Sequence, residues 1–135
     1  MATVNTKRVT LSQTAIFSSK KTDLLVSQVT DRFKRDPQTR QVTEEPDGFN
    51  LTVLSPSTGE PQTVKLPLEL KEEVEKVREA LQADNVVRVS FNGTMRGKFW
   101  AMMSDGRLNQ GISATATDMT VVSIEVPDED YLDLE

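Results

Sequence analysis

Residues 66–84 read LPLELKEEVEKVREALQAD, and within them Leu70, Val74, Val77 and Leu81 recur at helical spacing, forming one apolar stripe. Pro67 suits the start of that helix. Glu69, Glu72 and Glu73 suit its positive end, and Asp84-Asn85 marks an exit before a β-branched run. A single narrow stripe implies that the helix covers one side of another element.

The rest of the pattern is short and partly alternating. Residues 24–33 (LLVSQVTDRF), 49–54 (FNLTVL), 62–66 (QTVKL), 86–91 (VVRVSF), 96–103 (RGKFWAMM) and 119–126 (MTVVSIEV) are rich in β-branched and aromatic residues and read as strands. Residues 10–17 add an N-terminal strand. Turn chemistry separates these runs: a Pro/Ser/Gly loop at 55–61, a tight reversal at Asn92-Gly93, and another at Asp105-Gly106. Residues 34–48, polar and containing Pro37 and Pro46, read as a long mobile loop.

Three strands, a helix and two strands, followed by an extra C-terminal strand, predict a mostly β domain with one α-helix. Closing the sheet hides strand edges and a helix can plug an open end, so the expectation is a small OB-fold-like barrel over residues 24–103. An open α+β sheet with the helix across one face is the alternative. Residues 1–20 then form an N-terminal arm, 21–126 the OB-like domain and 127–135 (PDEDYLDLE) an acidic tail.

Alternation assigns faces. Val87, Val89 and Phe91 point inward, leaving Arg88 and Ser90 outside; Phe49, Leu51 and Val53 point inward, leaving Asn50, Thr52 and Leu54 outside. In residues 96–103 the inward set is Phe99, Ala101 and Met103, and the outward set is Arg96, Lys98, Trp100 and Met102. Phe17, Phe33, Phe49 and Phe91 are expected in the core. Trp100 has two readings: a core residue, or a ring exposed beside cations for base stacking. Arg32, Lys34, Arg35 and Arg40 follow the first strand, either as a solvated charge run or as phosphate contacts bordering a groove.

Composition narrows the chemistry. The 135 residues contain 16 Lys+Arg, 21 Asp+Glu, no Cys and no His, with a formal net charge of −5. Disulfides, thiolate zinc sites, thiol nucleophiles and the usual neutral-pH base are absent, so the expectation is a non-enzyme without cofactor. The charge is uneven: residues 1–42 are basic, whereas 69–84 and the tail are acidic. Any polyanion surface is therefore local. Met1–Thr10 has no apolar h-region and no run approaches the roughly 18 apolar residues of a membrane span, so a cytoplasmic protein without membrane contact is expected.

The layout resembles OB-fold single-stranded DNA-binding proteins, especially the small OB-like proteins of bacterial conjugative plasmids and integrative elements. The resemblance is borne by VSQVTDRFKRDPQTRQVTEEPDGFNLTVL, SPSTGEPQTVKLP and VVRVSFNGTMRGKFWAMMSDG. It implies sequence-tolerant binding of single strands during replication or conjugative transfer, often as an oligomer. Its groove candidates here are Arg88, Arg96, Lys98 and Trp100, with Arg32, Lys34 and Arg35 at the margin. The end Leu-Asp-Leu-Glu departs from the acidic Pro-Phe terminus of general bacterial single-strand binders. The competing expectation is a non-enzymatic interaction or structural module of a mobile element or phage, docking through the sheet face or the acidic tail. Self-association through the N-terminal arm and a protein partner for the tail are the remaining partner expectations.

Overall fold

The computed structural model describes residues 10–127. Eight strands and two helices follow in order: β1 (Thr10–Ser12), α1 (Gln13–Phe17), β2 (Leu24–Arg35), β3 (Val42–Leu54), β4 (Pro61–Leu66), α2 (Lys71–Gln82), β5 (Val86–Ser90), β6 (Arg96–Ser104), β7 (Arg107–Thr115) and β8 (Thr120–Glu125). A 3-10 turn at Leu68–Leu70 leads into α2. The chain is mostly β, as the alternation predicts, with a second short helix in the segment read as an N-terminal strand.

One sheet contains all eight strands in the order β1-β6-β7-β4-β3-β2-β5-β8. The β4–β7 pairing is parallel and the others are antiparallel. The expected closed barrel is not formed: no ladder among the described residues joins β1 to β8, and the sheet is open. The reason lies in two interruptions, at residues 91–95 and 116–119, which split a long hairpin so that β5 and β8 pair at one end of the sheet and β6 and β7 near the other. The sheet nevertheless curls, because one apolar cluster draws Val64, Leu66 and Ala114 from β4 and β7 together with Val87 and Val89 from β5.

The α2 stripe accounts for the helix position. Val74, Val77 and Ala80 are buried, with Leu70 and Leu81 packed at the margin of the same cluster, and the helix lies against β2, β5 and β8. Each fully buried valine stabilises the arrangement by roughly 1.5–3 kcal/mol relative to exposure. Just past the helix, Asp84 with a positive φ of 59° turns the chain while Asn85 N–H donates to the Ala80 carbonyl. Arg78 reaches from α2 to Asp31 of β2 at 2.6 Å, and this hydrogen bond raises the guanidinium pKa above its ordinary value.

Two expectations need correcting. Residues 34–48 are not a long loose loop. β2 and β3 continue as a hairpin, closed by an Asp36-capped turn in which Oδ1 accepts from Gln38 and Thr39 N–H. Cross-strand contacts hold this extension: Lys34 Nζ to Glu45 at 3.1 Å, Arg32 Nε to Asp47 at 3.5 Å, and Thr43 Oγ1–H to the Lys34 carbonyl. Phe33 is not core either; it lies on this projecting hairpin and is exposed, whereas Phe17, Phe49 and Phe91 are buried. Of the N-terminal arm, β1 pairs with β6 and Phe17 enters the core, with its carbonyl accepting from Ser57 Oγ–H at 2.6 Å. Residues 128–135, most of the acidic tail, lie outside the described residues.

Candidate nucleic-acid interface

Strand register defines a continuous outer face. Thr30 pairs with Asn50, Asn50 with Lys65, Lys65 with Thr115, Thr115 with Arg96 and Arg96 with Ser12, a single row crossing six strands. The neighbouring positions are Gln28, Thr52 and Thr63 on β2–β4, with Ser113 opposite Lys98 on β7 and β6. These residues point away from the core because their chain neighbours Leu51, Val53, Val64, Leu66 and Ala114 are buried. Lys65, Arg96, Lys98 and Arg107 share this face. No Asp or Glu occupies an outward position of β4, β6 or β7.

Among the described residues β1 pairs with β6 only as far as Lys98 and β4 pairs with β7 only at Ala114 and Thr115, and past these pairings the β6–β7 hairpin continues as a ribbon. Asp105 and Gly106, both with positive φ, make its two-residue turn. The ribbon explains a further correction. Phe99, Ala101 and Met103 occupy the inward face by alternation, as predicted, yet they are exposed because the core does not extend under the ribbon. Their partners Ile112, Gln110 and Leu108 lie on that same face. On the cationic face, Trp100 is 42% exposed and stands between Lys98 and Met102, opposite Gly111. The indole is a surface group.

The other predicted residues fall in distinct places. Arg32 lies over Gly48 and is paired with Asp47, while Arg35 Nη1 donates to the Arg40 carbonyl across the β2–β3 turn. Lys34 is paired with Glu45. Arg88 is outward on β5, opposite Leu25 and Ser123, and no ladder connects β5 with β6 or β7, so the register does not bring it beside Lys98 and Trp100. Arg96 Nη1 donates to the carbonyls of Gly93 and Met95 at 2.8 and 2.7 Å.

Lys65 is the residue that the sequence reading missed. Its signal was present: in QTVKL, Val64 and Leu66 are inward, so Lys65 must face out. With Arg32, Lys34, Thr115 and Thr117 it lines a recess of about 480 Å³, which Asp47 and Glu69 also border. Arg32 Nη1 and Asn50 Oδ1 are buried at adjacent strands without a hydrogen-bond partner, one donor and one acceptor left open. A larger recess, about 650 Å³, lies elsewhere, where Val29, Phe33 and Leu81 flank the Asp31–Arg78 pair.

Among the described residues no group of three or more acidic, His or Cys side chains could hold a metal ion, and no helix is long and apolar enough to cross a membrane. No protein-family model matches the chain, and no curated protein or solved structure matches it either.

Proposed function

We propose that this chain is a non-enzymatic, sequence-tolerant single-stranded DNA-binding protein, acting in replication or conjugative transfer of a mobile element. The observation that supports it is the composition of one face: in a chain with more acids than bases, Lys65, Arg96, Lys98 and Arg107 share the outward positions of β4, β6 and β7 with Trp100, and no carboxylate occupies one there. Cations there neutralise phosphates and release their counterions, and an exposed indole stacks on any base. Hydroxyl and amide groups of Thr30, Asn50, Thr52, Thr63 and Thr115 fill the rest of the surface and suit phosphate and sugar contacts. The succession of three strands, α2 and further strands supports an OB-like relationship, with the sheet open rather than closed.

The test is fluorescence anisotropy of a labelled oligonucleotide, with single-stranded DNA, duplex and RNA compared across salt. Single-stranded DNA is expected to bind most tightly, with affinity falling as salt rises. An unchanged anisotropy at micromolar protein and low salt overturns the proposal.

A second reading rests on the opposite ribbon face, where Phe99, Met103 and Leu108 are exposed together. An apolar surface of this kind suits a protein contact. In that case a protein partner is retained by Trp100→Ala and Lys98→Glu variants and lost on Phe99→Ser, while no nucleic acid binds.

A further inference from the structure

A second polar recess lies at the β1 edge, between the N-terminal segment and the reversal that joins β5 to β6. Its volume is about 300 Å³, at the lower end of small-molecule sites. Its lining brings Lys20, Lys21 and Arg96 together with Ser12, Thr22 and Ser90. No carboxylate lines it. Among the described residues none of the three cations is in an ion pair. Three positive groups gathered without an acid repel one another, and an anion between them removes that cost.

The two segments that carry these cations are each held by hydrogen bonds of their own. On one side, Asn92 and Gly93 adopt positive φ in a turn closed by Thr94 N–H to the Phe91 carbonyl at 2.9 Å, and the Asn92 amide donates to Asp118 and Thr120. Arg96 Nη1 is anchored on the carbonyls of Gly93 and Met95, which orients the rest of the guanidinium fork. On the other side, Gln13 Nε2 donates to the Lys21 carbonyl and Lys21 N–H to Ser19 Oγ, which fixes the lysine-bearing loop. A guanidinium, two ammonium groups and hydroxyl donors match a tetrahedral oxyanion.

The geometry points to a phosphate-binding pocket here, at the β1 end of the Trp100 face, with which it shares Arg96 and Ser12, and formed only because residues 12–22 return against the β5–β6 turn. Its ligand is a phosphate group, either free or borne by a polynucleotide.

Inorganic phosphate, titrated at constant ionic strength against a chloride control, tests this by amide chemical shifts. Saturable shifts are expected at Lys21, Thr22 and Gly93. In the Lys20→Gln/Lys21→Gln variant, whose exposed side chains leave the core intact, phosphate binds about tenfold more weakly or worse, the loss of at least one charge-assisted hydrogen bond. Shifts that do not saturate, that spread over all basic surfaces, or that persist unchanged in the double variant overturn the proposal. Competition identifies the source: displacement only by a 5′-phosphorylated oligonucleotide marks a strand end, displacement by the 5′-hydroxyl form as well marks an internal phosphodiester, and displacement by neither marks free phosphate. The outcome is independent of the single-strand proposal. A protein that ignores labelled oligonucleotides but shows the saturable shifts retains this pocket, and one that binds oligonucleotides without them does not.

Discussion

The indole of Trp100 lies over Gly111, so that a Cβ added at Gly111 would come to 3.0 Å of Cε2, Cζ2 and Nε1. A ring covering a strand glycine compensates for the missing side chain and steadies a ribbon that, among the described residues, has no further strand beside it. The indole remains 42% exposed. Trp100→Ala is expected to weaken single-stranded DNA binding by about 1–3 kcal/mol, roughly five- to 150-fold, for the loss of one stacked base. Gly111→Val displaces the ring and is expected to lower affinity in the same direction with the tryptophan still present. Anisotropy titrations of a labelled oligonucleotide read both, and unchanged affinity in the two variants removes the stacking role.

Lys65 and Lys98 stand on different strands of the same face, and each is expected to meet one phosphate. For single strands, each neutralised phosphate contributes about 0.7 to the slope of log affinity against log salt. Lys65→Gln and Lys98→Gln should therefore each reduce the slope by about that amount, and the double variant by about twice as much. Circular dichroism should show an unaltered fold, because both side chains are exposed. A slope that stays constant while affinity drops places the lysines outside the phosphate path.

How far the fold could be read depended on which face of each element met the core. The α2 stripe and the alternation of β3, β4 and β5 were legible because Val74, Val77, Leu51, Val64 and Val89 are all sealed against one cluster. The reversals at Asn92-Gly93 and Asp105-Gly106 were legible because their backbone needs positive φ. β7, RLNQGISAT, was not. Most of its length is exposed on both sides and it contains a glycine, so pairing with β6 rather than hydrophobic period makes it a strand. The β2–β3 extension escaped for a related reason, since long-range pairs such as Lys34–Glu45 leave no local pattern. The cationic row was half visible: Arg96, Lys98 and Trp100 followed from parity, while its continuation through Lys65 to Asn50 required the register.

Because Arg32 and Lys34 already face Asp47 and Glu45, they are poorer phosphate contacts than their charge suggests. Lys34→Ala is expected to change single-strand affinity by less than about twofold, a value typical of a screened surface pair. Glu45→Gln releases Lys34 and is expected to raise affinity at low salt by up to about fivefold, with the gain vanishing as salt rises. Anisotropy titrations of the two variants at two salt concentrations check the asymmetry. Equal losses from both would show that the pair acts as a unit.

The Asp31–Arg78 contact ties α2 to β2 while both groups remain partly in solvent, at 45% and 26% side-chain exposure. Its contribution is therefore screened. Asp31→Asn is expected to cost about 0.5–1 kcal/mol in urea unfolding, and the difference from the parent should shrink near 1 M salt. Leu51→Ala, at a fully buried position, is expected to cost about 2–5 kcal/mol with little salt dependence, which provides the contrast.

Gly97 shows how the N-terminal segment is seated. It is buried in β6, and a Cβ there would meet Ile16 Cδ1 at 2.7 Å and Ile112 Cγ2 at 3.0 Å. Glycine at this position lets α1 close over the sheet where β1 pairs with residues 96–98. Gly97→Val would force Ile16 outward, since the β6–β7 ladder cannot yield as easily as a five-residue helix. The expected result is a loss of about 1–3 kcal/mol, typical of overpacking. Protease sensitivity should also appear first within residues 10–23. Limited proteolysis followed by mass spectrometry distinguishes this from global unfolding, which would expose the β3–β4 core at the same time. A variant as stable and as resistant as the parent would show that Ile16 adjusts in place and that the segment is not held through this contact.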